Sequence, residues 1–463
     1  MQRHIRIGIF LLTLAVVFFF ARSPVSQNVD FWVHLKLGEL QSSKGILHKD
    51  LLSFVTSGRE AYPQQWLFQI FVYRYVQVFG LQNAQYIASI SGVLFVFVLW
   101  CLFRKVLNSS LWESIFAIAV FFIGTIDFLN LRAQMFAYFF AVCAFSLIFL
   151  YIKKGRNYLW LTVPLMIVWN NIHASLFLAI YFFASYAVLQ FFLKGRSKAK
   201  VLLMYVLCGL LISVLPPLGT GQWRYLWFFV QHRKVVDSFG EWLPLYRSFA
   251  DFIVYVFFCI CAALVWIIRL REKKVSKNEV VFLPLVLLVF SAFFALRNLF
   301  LGYICISILF AQGIRGLKLT RIVRVALFLI LIGMLWVFWQ KETNDVAHVP
   351  QRASDFIRAQ NIRGKMFSDF VGSSYFLWSL APERKIFMDI RLELYACCEL
   401  PEYEHAFLDK VNASDGDFFA SVDAFFASYG FDYAVLPTDQ NSFWRRIDEH
   451  LLSLPQWSLV YWD

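Results

Sequence analysis

Charged residues are scarce in this chain. Of its 463 residues, 16% are Asp, Glu, Lys or Arg, whereas 60% are hydrophobic and 19% are aromatic. Soluble domains carry about 25% charged residues, so this composition excludes an ordinary soluble multidomain protein. The composition predicts an α-helical polytopic membrane protein.

Several common catalytic and nucleotide-binding motifs are missing as well. The sequence contains no Walker A loop, no dinucleotide-binding glycine fingerprint, no HExxH and no GxSxG. It also lacks an internal repeat of the kind that many secondary transporters show. These absences argue against an ATP-driven or NAD-dependent activity within this chain.

Cysteine gives little information about function. Six of the eight cysteines fall in predicted membrane spans, where Cys behaves as a small apolar residue. The other two, Cys397 and Cys398, are adjacent in the sequence. Adjacent cysteines do not have a zinc-type spacing and rarely pair with each other.

The basic residues indicate topology rather than nucleic-acid binding. The net charge is +13, but Lys and Arg occur in short clusters between apolar runs. Eleven spans are predicted, at residues 7–20, 83–103, 111–126, 135–152, 159–169, 176–193, 201–215, 252–268, 280–295, 299–311 and 325–339. With this alternation the dense basic clusters share one side, which predicts a cytoplasmic N-terminus and an extracytoplasmic C-terminus.

Three segments need a separate interpretation. The first span is expected to be a retained anchor rather than a cleaved signal peptide, because the residues after it form a poor cleavage site. Residues 159–169 are too short to cross a bilayer alone, since a span needs about 20 helical residues. Residues 65–79 have helical periodicity interrupted by Arg74 and Gln77, which is typical of a helix in the membrane interface.

The composition changes near residue 341, where charged residues and Ser become frequent. We therefore expect a transmembrane domain at residues 1–340, with a first extracytoplasmic loop at 22–82. Residues 341–463 are expected to form a small extracytoplasmic α/β domain. Within it the patterns predict helices at 353–359, 375–380 and 418–428, and extended segments at 365–368, 385–388, 432–436 and 457–461.

The first loop contains the main candidate for catalysis. Asp30 and His34 are four residues apart, so a helix beginning there would place both on one face. Such a carboxylate can act as a general base or hold a cation, with the imidazole assisting. The alternative is that Asp30 is an N-cap acid of an interfacial helix. Later in the loop, His48 and Asp50 are expected to order the backbone.

Candidate substrate-binding residues lie at the predicted outer ends of other spans and in the predicted loop that runs to about residue 249. Arg132, His173 and Arg297 are placed where a guanidinium or imidazole could contact a phosphate, and snorkelling to the interface is the alternative. Glu241 and Trp242 combine a second carboxylate with an aromatic ring that suits a sugar, although loop packing would explain them equally well.

An ordered series of segments resembles a large family of bacterial polytopic proteins with the C-type glycosyltransferase fold. The first loop is similar to D-x-D-x-W-W-H-L, D-P-F-S-F-T and a Trp segment of that family, through DFWVHLKLGE, HKDLLSFVTSG and QQWLFQ. Further segments follow in the family's order and cover nearly the whole chain: LRAQMFAY, WNNIHASLFL, FGEWLP, LRNLFLG and SSYFLWSLAPERKIFMDIRLELY.

The resemblance implies a fold, a reaction and a location. Such enzymes are inverting glycosyltransferases of the bacterial inner membrane that transfer a sugar from a polyprenyl-phosphate donor, outside the cytoplasm, to a glycan, lipid or protein acceptor. If the family's residue roles apply at the matching positions, Asp30 is the first-loop acid and His34 lies beside it. The same resemblance makes Arg132, His173 and Arg297 candidates for binding the donor phosphate. No cofactor is identified; a divalent metal ion held by Asp30 is left open.

The sequence departs from the family pattern at several positions, and two other functions stay open. Asn28 replaces the first acid, Gln64 and Gln65 replace a His-Glu pair, Ala174 and Ser175 replace Gly-Gly, and Ile390 replaces a Gly. A transporter or flippase of lipid-linked glycans would need ionisable residues near mid-bilayer, which the predicted spans almost lack. A non-catalytic envelope scaffold would tolerate Asp30→Asn.

Overall fold

The structure is a computed structural model of the chain. It describes residues 28–125, 131–193, 195–215, 217–232, 240–275, 277–315, 317, 349–370, 372–408, 414–437 and 442–462. The first and last predicted spans, at 7–20 and 325–339, lie outside the described residues.

Most described residues are helical. The α-helices, in chain order, are α1 Val29–Lys44, α2 Trp66–Phe79, α3 Gln85–Cys101, α4 Leu111–Thr125, α5 Ala133–Lys154, α6 Thr162–Ile172, α7 Phe177–Phe192, α8 Arg196–Ile212, α9 Gly221–Gln231, α10 Phe249–Arg271, α11 Leu283–Ser291, α12 Leu299–Gly313, α13 Gln351–Ala359, α14 Gly372–Leu380, α15 Leu392–Tyr395, α16 Glu399–Tyr403, α17 Asp415–Tyr429 and α18 Ser442–Ser453. Short 3₁₀ segments are Leu81–Asn83, Leu159–Leu161, Ala174–Leu176, Gly240–Trp242, Leu245–Arg247, Lys277–Phe282 and Leu296–Asn298, and π segments are Leu102–Val106 and Glu404–Leu408. The strands are β1 Met366–Ser368 and β2 Tyr433–Val435.

Among the described residues, five helical segments are long and apolar enough to cross a membrane. They are Leu81–Val106, Ala133–Lys154, Ala174–Phe192, Phe249–Arg271 and Leu296–Gly313, and each overlaps a predicted span. Three shorter apolar segments, Leu111–Thr125, Leu159–Ile172 and Glu279–Ser291, overlap three others. The chain is therefore a helical membrane protein, whereas the total of eleven spans and their orientation stay predictions.

The described residues group into two compact units. The first contains residues 79–222 together with the described residues from 240 to 317. The second contains the described residues of 25–78, 223–236 and 347–463. The second unit thus combines the first loop with the C-terminal tail. The boundary at residue 340 and a separate extracytoplasmic α/β domain stay predictions.

Aromatic side chains fill the core of the first unit. Tyr138 of α5 stacks on Phe300 of α12, with ring centroids 4.4 Å apart. The helices α10 and α12 approach closely at Gly302, where an added Cβ would lie 2.2 Å from the hydroxyl oxygen of Tyr255. That hydroxyl donates to the carbonyl of Val289 at 2.7 Å. Because no space is left between these side chains and the backbone of α12, the start of α12 is held firmly against α5 and α10.

The second unit is built around α1 and α14. Trp32 of α1 packs against Tyr375 and Trp378 of α14, with ring centroids 4.9 Å away in both cases. On the other side, Gly38 lets α1 approach α2, because an added Cβ would lie 2.2 Å from the backbone oxygen of Gln69. The helix that carries Asp30 is therefore fixed by close contacts.

A small sheet and one bridge complete the second unit. The strands β1 and β2 pair in parallel, with Met366 opposite Tyr433 and Ser368 opposite Val435. Residue 53 of the first loop forms a parallel bridge with Ile386 of the tail. The backbone hydrogen bonds Phe54 to Ile386 at 3.0 Å and Ile386 to Leu52 at 3.1 Å close this bridge. The first loop is thus part of the same folded unit as the tail.

Candidate functional site

Two arginines of the first unit contact one short turn. The turn Gly240–Trp242 is tied to the segment before α12 by backbone hydrogen bonds, since Leu296 N–H donates to the carbonyl of Leu243 at 2.9 Å. This places the guanidinium carbon of Arg297 4.1 Å from the centroid of the Trp242 indole. An arginine held over an indole face is a cation–π contact, which orients the guanidinium.

Arg132 contacts the same turn through Glu241. It occupies the N-cap position of α5, and its Nη1 donates to Oε1 of Glu241. The side chains remain 26% and 44% exposed, so this ion pair is open to solvent or ligand. We call Arg132, Glu241, Trp242 and Arg297 the arginine cluster. It brings together four of the five residues that the sequence predicts as substrate-binding.

Polar side chains of α5 support the arginine cluster through the backbone of Arg297. Tyr138 Oη donates to the carbonyl of Arg297 at 2.9 Å, and Gln134 Nε2 donates to Tyr138 Oη at 2.7 Å. These two bonds join the first turns of α5 to the backbone that carries Arg297. The sequence segment LRAQMFAY contains both polar side chains, but its spacing alone does not show that they reach Arg297.

His173 occupies a turn between two helices. It follows α6 and is 9% exposed, and its Nδ1 accepts the backbone N–H of Ser175 at 3.2 Å. Trp169 Nε1 donates to Ser175 Oγ at 2.9 Å, and Ser175 Oγ also lies 2.9 Å from His173 Nδ1. His173 therefore caps the short helix Ala174–Leu176.

The structure places Asp30 and His34 on one helix, in the second unit. The N-cap of α1 is Asn28, whose side-chain oxygen accepts the N–H of Asp30 at 3.1 Å, while Asp30 lies in the first turn. The alternative that Asp30 itself is the N-cap is therefore wrong. His34 is 8% exposed and lies edge-on to Phe68, with its Nδ1 3.5 Å from Gln69 Nε2.

The second unit contains a buried ionic triad that the sequence patterns do not predict. Arg391 Nη1 lies 2.9 Å from Asp50 Oδ1, and Nη2 lies 2.6 Å from Asp389 Oδ2. Tyr395 Oη donates to Asp389 Oδ2 at 3.0 Å. Asp50 also accepts from Thr56 Oγ1 at 2.7 Å. The prediction that Asp50 orders the first loop is confirmed. The HKDLLSFVTSG segment and the DIR segment contact each other at this triad.

Two ionisable side chains at the triad have shifted pKa values. Burial alone would lower the pKa of Arg391, but the charges of Asp389 and Asp50 raise that pKa well above its ordinary value. Burial also raises the pKa of the half-buried Glu393 to about 7, against the opposing effects of its backbone hydrogen bond and Arg391. Arg391 therefore stays charged, whereas Glu393 titrates near neutrality.

The described residues give little support for a metal ion at Asp30. They contain one group of three His, Cys, Asp or Glu side chains whose ligand atoms lie within 4.8 Å of one another, and this group is Cys397, Cys398 and Glu399. Asp30 is not a member of it. The side-chain oxygen of the neighbouring Asn28 accepts the N–H of Asp30 and is used for capping. No metal-dependent step is derived from this arrangement.

Comparison with known proteins identifies a fold. No family model and no curated protein matches the sequence. Among solved structures, the fold is similar to the oligosaccharyltransferase of Archaeoglobus fulgidus in the apo form, with a TM-score of 0.52 and 12% identity. The match covers 82% of this chain and 64% of that chain, so this chain spans less than two thirds of the neighbour's length. The expected glycosyltransferase-like fold is confirmed at this coarse level.

Proposed function

We propose that the chain is a membrane glycosyltransferase, or a degenerate relative, that transfers a sugar from a polyprenyl-phosphate donor to a glycan, lipid or protein acceptor outside the cytoplasm. The observation that carries the proposal is the arginine cluster, in a chain whose fold is similar to that of an oligosaccharyltransferase. Fold alone does not establish activity. The argument therefore depends on what this cluster can bind.

The cluster has the chemistry to hold a phosphate. Guanidinium groups bind phosphate oxygens through paired hydrogen bonds. Arg297 is oriented by Trp242 and by its own segment of backbone, so less conformational freedom is lost when it binds a ligand. Arg132 is partly neutralised by Glu241, and a phosphate that displaces this carboxylate would gain a second guanidinium.

The proposal gives the cluster a role in the transition state. When the glycosidic bond to the donor phosphate breaks, negative charge grows on the leaving phosphate. Fixed arginines stabilise this charge more strongly than mobile water does. Trp242 offers an aromatic face beside Arg297 on which a sugar ring could stack. We assign phosphate binding to Arg132 and Arg297 and sugar contact to Glu241 and Trp242. His173, buried and bonded to Ser175, is proposed to hold the adjacent turn.

Asp30 is proposed as the base that deprotonates the acceptor hydroxyl. This assignment rests on its place in the first-loop motif and on the helix that carries it together with His34. A positioned general base contributes about 10² to 10⁴ in rate. His34 is buried between Phe68 and Gln69, so we assign it a positioning role for α1 rather than direct contact with substrate.

The decisive experiment is sugar transfer by the purified full chain in detergent, from a panel of radiolabelled polyprenyl-phosphate sugars to envelope extract. We expect wild-type protein to transfer label from one donor, and Asp30→Asn to be slower by at least about 10²-fold. Glu39→Gln is the matched control, since this half-exposed acid lies on the same helix and pairs only with Lys36 in the described contacts. A parallel sample with EDTA decides whether a metal ion is required.

Donor binding separates the arginine cluster from the base. Arg297→Ala should weaken binding of polyprenyl phosphate. The control is Arg247→Ala, which removes an exposed arginine from the loop that contains Glu241 and Trp242, and this variant should not weaken binding. Loss of binding in both variants to the same extent would contradict a specific phosphate site. If no donor is turned over although polyprenyl phosphate binds to wild type, catalysis is rejected and transport of lipid-linked glycans becomes the better explanation.

A further inference from the structure

Two adjacent cysteines form an exposed pair of thiols in the second unit. Among the eight cysteines, Cys397 and Cys398 are the exposed ones, while Cys101, Cys143, Cys208, Cys259 and Cys261 are half-buried and Cys305 is buried. The sulfur atoms of the pair lie 3.0 Å apart. This is closer than an ordinary non-bonded sulfur contact, so a disulfide of about 2.05 Å needs only a small approach.

An arginine connects the pair to the first loop. Arg59 Nη1 lies 3.6 Å from Cys397 Sγ, and the same guanidinium binds both carboxylate oxygens of Glu399 at 2.8 and 2.9 Å. The charge of Arg59 favours the Cys397 thiolate, which is the reactive form, but it is paired with Glu399 and does not outweigh partial burial, so the pKa of Cys397 is raised. The dithiol is therefore accessible and preassembled beside this ion pair.

We propose that Cys397 and Cys398 are a redox-active dithiol, a site of covalent modification that a small or protein disulfide oxidises to a vicinal disulfide. The spacing of adjacent Cα atoms is about 3.8 Å, which is shorter than the usual range of about 4.4 to 6.8 Å across a disulfide. The bond formed is therefore strained. Strained and exposed disulfides are the ones that are easily reduced, so the modification is reversible.

The reaction is a pair of thiol–disulfide exchanges. The thiolate of Cys398 attacks one sulfur of the oxidant, which forms a mixed disulfide and releases one thiolate. The Cys397 thiol then loses its proton to solvent and attacks Cys398 Sγ, which forms the vicinal disulfide and releases the second thiolate. Two protein thiols are oxidised, one external disulfide is reduced, and the two released thiolates take up the two protons.

The order of attack follows from the surroundings of the two thiols. Burial, together with the hydrogen bond from Cys398, raises the pKa of Cys397 to about 11. At neutral pH little of Cys397 is ionised, so the first attack is assigned to Cys398. As the pH rises towards this pKa, the thiolate fraction of Cys397 grows, so the second step should become faster.

The test uses the purified full chain in detergent with oxidised glutathione as the oxidant. After denaturation, remaining free thiols are alkylated, and the peptide that contains both cysteines is weighed by mass spectrometry. For wild type we expect a peptide that has lost two hydrogens, carries no glutathione and accepts two alkyl groups only after mild reduction. Raising the pH by one unit should speed its appearance.

Single variants distinguish an internal disulfide from simple glutathione addition. Cys397→Ser removes the resolving thiol, so Cys398 should keep one glutathione; both positions are exposed, and Ser is of similar size. The proposal is overturned if wild type keeps glutathione on this peptide as the variant does. It is equally overturned if wild-type Cys397 and Cys398 both stay alkylatable throughout the incubation.

Discussion

Two of the arginine–carboxylate sites among the described residues have opposite surroundings. In the second unit, Arg391 is enclosed by Asp50 and Asp389, whose side chains are 0% exposed. In the first unit, Arg132 and Glu241 form a pair that is 26% and 44% exposed. The charges are alike, but the solvent is excluded from one site and present at the other.

The difference indicates which site can bind a ligand. Each charge of the buried triad is matched by a partner or a hydrogen bond, so binding there would require breaking bonds in a dry interior. The exposed pair costs little to open, because water replaces the lost contact. We therefore interpret the triad as the connection between first loop and tail, and the arginine cluster as the candidate binding site.

The largest effect is expected from Arg391→Ala. Removing the arginine leaves two buried carboxylates without their counter-charge, which should lower the free energy of unfolding of the second unit by about 3 to 5 kcal/mol. Thermal unfolding of the full chain in detergent measures the change. The matched control is Arg445→Ala, whose pair with Glu449 is 76% and 63% exposed and is worth less than about 0.5 kcal/mol. Equal shifts in the two variants would show that the triad is not structural.

Much of the helical organisation could be predicted from the sequence. The predicted helices at 353–359, 375–380 and 418–428 lie within Gln351–Ala359, Gly372–Leu380 and Asp415–Tyr429. The extended segments at 365–368 and 432–436 contain the two strands. Residues 385–388 form an isolated bridge at Ile386 instead of a strand, and 457–461 has neither helix nor strand. Periodicity identifies elements, but pairing decides whether an extended segment becomes a strand.

The contacts of the candidate site could be predicted only in part. The sequence predicts Arg132 and Arg297 from their positions at span ends. It predicts Glu241 and Trp242 from the loop before α10. No sequence pattern shows that both arginines contact one turn. Arg391 was missed for a related reason, because its partner Asp50 is more than 300 residues away in the chain. The DIR segment carried a signal, since two charged residues beside apolar Ile and Met suggest a buried pair.

The second prediction concerns the titration of Glu393. Its pKa is about 7 in the folded chain and about 4.5 when unfolded, so the folded state binds an extra proton between these values. Wild type should therefore lose stability as the pH rises from 5 to 8, by about 1 to 3 kcal/mol relative to Glu393→Gln, which cannot ionise. Unfolding temperatures at the two pH values measure it. The same dependence of stability on pH in wild type and in Glu393→Gln would contradict this assignment.

A loss of stability smaller than that of Arg391→Ala is expected from Tyr395→Phe. This variant keeps the buried ring and removes one hydrogen-bond donor to Asp389. Burial raises the pKa of Tyr395 well above its ordinary value, so the hydroxyl donates at any pH used. The loss should be about 1.5 to 3 kcal/mol, since the acceptor is charged, and it should shrink in the Arg391→Ala background. Additive losses in the double variant would mean that Tyr395 and Arg391 do not act on the same carboxylate.

The smallest effect on stability is expected from Arg132→Gln. Because the pair with Glu241 is exposed, its loss should change the free energy of unfolding by at most about 1 kcal/mol. Under the proposed function, the same variant should bind polyprenyl phosphate more weakly, because one guanidinium is gone. The two measurements on one variant therefore separate a binding site from a structural pair. If Arg132→Gln destabilises the chain as strongly as Arg391→Ala does, the exposed pair is structural, and the contrast on which the binding site rests fails.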